Sequence, residues 1–326
     1  MSVLAEEKRT NLAPDIVAII GCARSGSTVL EGKVQQAANV TGLGEVAHLW
    51  SRGFLRNELC GCGVNFSRCE FWTEVLARAF GKVQVADARR FDAAFRSAVG
   101  GVVHLETPSW RPLHVDPLFG AIARDLYRAA HQIGGERPLV DSSKPAHFAA
   151  SLKASSVGHV LPLHVFRSPG RNVQSLRTSK PRPQAQEIAY AMMPSSRTLA
   201  HAIAHWIFRN AQASNFIRHH DGCSATIFFD GFCQDVDAQL QAIMERLALP
   251  ARQAGRAETW HSVSGNPVRF QPNGLEIRGS DDVVPLTAFG SAVVRFTTAR
   301  QQMLLEARSL GTHQVGNEWR RSAKVS

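Results

Sequence analysis

Residues 21–30 read GCARSGSTVL and follow directly on the apolar run Ile16 to Ile20. Gly21, four residues, then Gly26-Ser27-Thr28 keep the spacing of G-x-x-x-x-G-K-[ST], the turn whose backbone N–H groups cradle nucleotide phosphates. Ser27 stands where that pattern has the lysine that reaches the β- and γ-phosphates, and the nearest cation is Arg24, inside the loop. The lysine and a magnesium ion are needed chiefly when a polyphosphate must be stabilised. A cradle with Arg24, Ser27 and Thr28 but no lysine suits a smaller anion, such as a single 5′-phosphate carrying one transferable group. A second anion site is written into HVFRSPGRNVQSL. It sets Arg167 at the end of an apolar run and Ser175 eight residues later, two turns into the following helix, where both can reach the same oxygens.

The elements that must hold these groups are strands ending in polar turns. Ile16 to Ile20, Pro138 to Val140, Leu161 to Phe166 and Thr226 to Phe229 read as buried strands, each trailed by a helical pattern. That alternation predicts βα units around a mostly parallel sheet. Thr28 opens a helix running to about Ala38. Ser143 is placed to cap a helix starting at Pro145, and Ser168 with Pro169 begins the helix of Ser175. Residues 50–105 and 177–200 fit the scheme poorly and read as insertions over a sheet edge. The polar segment 1–15, a single α/β domain over 16–312 and a polar tail over 313–326 complete the expected organisation.

Composition narrows the class. With 44% hydrophobic and 20% charged residues in 326, the chain has the make-up of a globular protein large enough to bury a sizeable core. A formal net charge of +10 favours anionic partners without choosing among them. The polar first 15 residues do not suit a signal peptide, and no run approaches the roughly 18 apolar residues of a membrane span. The chain therefore reads as cytoplasmic, with a peripheral membrane contact left open. Cys60, Cys62 and Cys69 cluster in CGCGVNFSRCEFW. Zinc would want a fourth ligand and more usual spacing, so the triplet reads as a loop staple or as small packed residues, and no metal is assigned.

At this point the chain resembles the sulfotransferases that use 3′-phosphoadenosine 5′-phosphosulfate (PAPS), and among them the bacterial type related to the tyrosylprotein and carbohydrate enzymes. Arg24-Ser25-Gly26-Ser27-Thr28 resembles their 5′-phosphosulfate loop, and Arg167 with Ser175 resembles their 3′-phosphate motif. TGLGEVAHLW, VDSSKP, the cysteine segment and HSVSGNPVRF resemble further family segments, in the family's order, between residues 16 and about 280. The resemblance implies a P-loop-like three-layer α/β fold and PAPS as donor, with no metal. It implies Glu45 as the base that takes the acceptor's proton, and Lys144 as the cation at the leaving bisphosphate. Arg24, Ser25, Gly26, Ser27 and Thr28 would hold the 5′-phosphosulfate, and Arg167, Ser175 and Arg269 the 3′-phosphate. A glutamate near an anionic sulfonate is expected to have its pKa raised by like charge.

Other readings stay beside these. His48, one turn beyond Glu45, is the alternative base, while for Trp206, Arg209 and Asn210 packing is the expected role. A P-loop-type kinase or nucleotidase acting on a phosphorylated substrate would want a lysine at position 27 and a magnesium-binding aspartate, and Asp141 and Asp230 at strand ends keep it open. A basic nucleic-acid-binding protein is disfavoured by dispersed cations and the lack of a stacking or recognition motif, so no nucleic-acid partner is expected. The acceptor is a small molecule, lipid or carbohydrate whose identity the insertions do not spell out. Residues 177–200, with Arg177, Lys180, Arg182 and Arg197 around the apolar stretch Ala189 to Met193, suit a mobile lid.

Overall fold

The structure, a computed structural model, describes residues 15–100, 115–192, 198–252 and 259–270. Its elements, in order, are β1 (Asp15–Gly21), α1 (Ser27–Ala37), β2 (Thr41–Gly44), α2 (Glu70–Phe80), α3 (Val85–Gly100), α4 (Pro117–Ile133), β3 (Leu139–Lys144), α5 (Ala146–Ala154), β4 (His159–Phe166), α6 (Pro169–Arg177), α7 (Leu199–His219), β5 (Ala225–Phe228) and α8 (Val236–Arg246). Five parallel strands lie in the order β2-β3-β1-β4-β5. The expected parallel sheet is therefore present, and β1 holds its centre.

Alternation along β1 explains the layering. Ile16, Ala18 and Ile20 enter one core with α2, α3, α4 and α5, whereas Val17 and Ile19 enter a second with α1 and α8. A strand buried on both faces is apolar at every position, as Ile16 to Ile20 is. Helices cover both faces, which makes this the three-layer P-loop-like α/β arrangement. The loop after β1 opens between those after β3 and β4, at the strand ends where open α/β sheets bind ligands.

Several expectations need correction. β2 was not among the expected strands, and β3 runs on through Asp141-Ser142-Ser143-Lys144. Ser143 caps nothing: it lies in β3, and α5 starts at Ala146 with Pro145 at its N-cap. Residues 50–100, read as an insertion, are largely helical. Trp50, fully buried, packs edge-on against Phe91 at 4.9 Å and beside Phe80 and Phe95, so this segment builds much of the larger core. The segment read as a lid packs back on residues 56–58. Arg182 is buried against Glu58 at 2.6 Å, its N–H donates to Ala191 O, and Arg56 stacks on Tyr190 at 3.5 Å. Residues 193–197, with Arg197, lie outside the described residues, as do 1–14, 101–105 and 313–326. Among the described residues no helix is long and apolar enough to cross a membrane.

Candidate functional site

The loop at residues 22–26 is shaped for close approach. Gly26, the N-cap of α1, has φ 96°, and a Cβ there would stand 2.2 Å from the Phe229 ring. Only glycine fits that pairing of positive φ and packing. Arg24, at φ 68°, also takes the left-handed region, which residues other than glycine seldom adopt. Ser25, Ser27 and Thr28 are buried, and Thr28 Oγ1 accepts a hydrogen bond from the N–H of Asn266.

Arg167 arrives from the end of β4, and its Nη1 donates to the carbonyl of Arg24 at 3.2 Å. Asp230 holds the start of α6 by accepting from Ser168 N–H, and it lies 4.0 Å from Arg167 and 3.5 Å from Arg171. Burial pushes down the pKa of both Arg24 and Arg167. Lys180 comes near from the segment after α6. Burial first, then the charges of Arg24 and Arg167, push its ammonium down as well. Three cations from three loops thus crowd one strand end. Beside them, Ser25 Oγ and Arg167 Nε are buried without a hydrogen-bond partner among the described residues. A buried polar group left so costs about 1–3 kcal/mol, which an anion's oxygens would recover.

The other half of the site joins β2 to β3. Glu45, 7% exposed at the end of β2, meets the Lys144 ammonium at the end of β3. Its second oxygen accepts from Ser264 Oγ at 3.0 Å, with Arg52 at 3.5 Å and His48 at 3.8 Å. Burial alone would raise this carboxyl, but Lys144 and Arg52 outweigh it and hold the group well below the usual carboxylate range. The expected upward shift is therefore reversed in the chain by itself, because cations and not anions surround Glu45. Burial and Arg52 press His48 toward the neutral form. Lys144 sits at φ 82°, and unusual backbone of this kind gathers at functional sites.

Arg269 comes from the segment after His261 and is buried beside Thr28. Its Nη2 donates to Leu59 O, and its Nη1 and Thr28 Oγ1 both line the space beside Gly265. Burial lowers its pKa to about 10 despite nearby Glu45, so it belongs to the flank of Thr28 and Glu45. Ser175 is half-buried two turns into α6, and its hydroxyl makes no hydrogen bond among the described residues. Trp206 and Asn210 take the packing roles expected of them, Asn210 by hydrogen bonding His164.

The aspartates that a kinase would need are engaged elsewhere. Asp141 accepts from the Tyr127 hydroxyl and from Ser143 N–H and Oγ, deep in the core, and Asp230 is taken by α6 and its arginines.

Sequence reasoning missed Glu31. From α1 it accepts Gly44 N–H at 2.7 Å and the Ser142 hydroxyl at 2.6 Å, clamping the strand ends that carry Glu45 and Lys144. A signal was available, since Glu31 shares a helix face with Ser27 and Val34. Beside the cysteine triplet the fold brings a fourth group of a kind that can bind metal, His261. The Cys60, Cys62 and Cys69 sulfurs and one His261 ring nitrogen all lie within 4.8 Å of one another.

No family model and no curated protein sequence matches the chain. Among solved structures it is similar to the sulfotransferase domain from the curacin biosynthetic pathway, at 13% identity and TM-score 0.45 over 80% of this chain and 83% of that one. It is similar to the sulfotransferase domain of the Synechococcus PCC 7002 olefin synthase, at 15% and 0.43 over 89% and 96%. A third is the sulfotransferase STF1 of Mycobacterium tuberculosis H37Rv, at 13% and 0.40 over 75% and 70%.

Proposed function

We propose that the chain transfers a sulfuryl group from PAPS to a hydroxyl or amine of a small-molecule, lipid or carbohydrate acceptor. The observation that carries this reading is the convergence of Arg24, Arg167 and Lys180 beside a glycine-shaped loop without the lysine at position 27. Asp230 faces Arg167 and Arg171 only, so the cluster keeps an excess of positive charge that a further anion would offset. A donor with separate 3′- and 5′-anionic groups spans the Arg167 side and the loop side.

In this reading the acceptor oxygen attacks sulfur in line, the bond from sulfur to the bridging phosphate oxygen breaks, and adenosine 3′,5′-bisphosphate leaves. The acceptor's proton passes to Glu45. Lys144 stabilises the charge that develops on the bridging oxygen. Glu45 and Lys144 begin as an ion pair, so a sulfonate that draws Lys144 away removes the largest of the cationic influences on the carboxyl and shifts it upward, toward a useful basicity.

Calorimetry tests the donor. Adenosine 3′,5′-bisphosphate should bind at least about tenfold more tightly than AMP or magnesium ATP. Arg167→Ala, by removing a charge-assisted contact of about 1.5–3 kcal/mol, should erase most of that advantage. Tighter binding of magnesium ATP would refute the reading.

A further inference from the structure

We propose that Cys60, Cys62, Cys69 and His261 form a structural zinc site that clips the C-terminal strap, residues 259–270, to the loop before α2. The donor set is three thiols and one imidazole, the borderline-soft, four-coordinate chemistry that zinc takes in closed structural sites. Distances agree with a shared ion. With zinc–sulfur bonds of about 2.3 Å, the edge between two sulfurs of a tetrahedron is roughly 3.75 Å. Cys62 Sγ and Cys69 Sγ are 3.7 Å apart. A disulfide would need about 2.05 Å, and all three cysteines are free. Cys69 Sγ lies 3.2 Å from His261 Nδ1, against roughly 3.5 Å for the corresponding edge with a nitrogen ligand.

The surroundings hold His261 in place. The His261 ring stacks on Phe71 with centroids 5.0 Å apart and 14° between planes. Trp72 Nε1 donates to the His261 carbonyl at 2.5 Å, and Gly61 N–H donates to that of Ser262 at 2.9 Å. Binding Zn²⁺ releases the thiol protons to solvent and leaves a closed tetrahedron with no position for substrate. The site is therefore a staple and not a catalytic centre.

What the staple holds is informative. Just beyond His261, Val263 bonds to Leu43 and to the N–H of Glu45, Ser264 bonds to Glu45, and Asn266 bonds to Thr28. These contacts fasten the strap across the phosphate-binding loop and Glu45. The clip does not depend on which reaction that site performs.

The test uses the full chain, purified without a metal-affinity step from zinc-supplemented culture. Elemental analysis should find about one zinc per chain in the wild type and at most a fifth of that in Cys62→Ser and His261→Asn. Circular dichroism reports whether each variant is folded. A cobalt-substituted wild type, which needs no variant to fold, should show thiolate-to-cobalt charge transfer and the intense visible bands of tetrahedral cobalt. The proposal is overturned by a folded wild type without zinc, by iron in its place, or by a chain about 2 Da lighter than its reduced mass, the mark of a disulfide.

Discussion

Glu31 is the residue whose chemistry the surroundings change most usefully, because its environment pulls in two directions. Burial pushes its carboxyl from 4.5 up to about 7, while the Ser142 hydroxyl and Gly44 N–H oppose that rise and lose. The folded chain thus binds this proton more tightly than the unfolded chain does. The associated stability is fully present below about pH 4.5 and is lost as pH rises through about 7. At about 1.36 kcal/mol per pH unit, the whole effect is roughly 3 kcal/mol, of which roughly 2.5 falls between pH 5 and 8. Glu31→Gln removes the titration and keeps the shape: the amide oxygen accepts from Gly44 N–H, and the amide nitrogen donates to Ser142 Oγ. Urea unfolding of both proteins at pH 5, 6, 7 and 8 gives the stability of the variant minus that of the wild type, in which the other titrating groups cancel. That difference should climb by roughly 2.5 kcal/mol over the range in favour of the variant. A flat difference would show that Glu31 is ionised throughout, and that two hydrogen bonds outweigh burial at this position.

Two further outcomes bear on the site. Glu45→Gln should leave the affinity for adenosine 3′,5′-bisphosphate within about threefold of wild type. It should lower bisphosphate release from PAPS in acceptor-containing cell extract by about 10²–10⁴-fold, the size of general-base catalysis; near-normal release would move the base elsewhere, with His48→Ala next. Gly26→Ala should weaken bisphosphate binding at least about tenfold, because the new Cβ must displace Phe229 or the loop; calorimetry showing unchanged affinity would mean that the cradle is not where the anion sits.

What could be read from the chain beforehand follows a physical line. β1 and its loop were legible because a doubly buried strand is apolar at every position, and because glycines at fixed spacing mark a turn that side chains would block. β2 was not: Thr41-Gly42-Leu43-Gly44 has two glycines and little strand propensity. It pairs with β3 all the same, and the N–H of Gly44 is taken by a glutamate from another element. The core role of residues 50–100 was hidden for a related reason, since Trp50, Phe80, Phe91 and Phe95 lie on three different helical segments and become one cluster only when those segments fold together. His261 could not be joined to the cysteines by spacing, because 192 residues separate it from Cys69. Arg182 read as one of the lid's cations, and its buried partner Glu58, 124 residues away, could not be read from spacing.

The reversal at Glu45 shows most clearly what such pairings do to chemistry. From the chain, the expected pKa of this glutamate was set by a nearby sulfonate, and like charge raises a carboxyl. The fold delivers Lys144 from the end of β3, where backbone at φ 82° accompanies the contact, and Arg52 from the short π-helical stretch Leu49–Phe54. Both were already in the sequence, but strand order alone decides that β3 lies next to β2 and so that a lysine 99 residues away meets this carboxylate. A base held so far down is a weak one at neutral pH. Under the sulfuryl-transfer proposal, then, the donor has two tasks at this site: to present sulfur, and to separate Lys144 from Glu45. A group that binds the cradle without an anion at the sulfonate position fills the first anion site and leaves the ion pair closed.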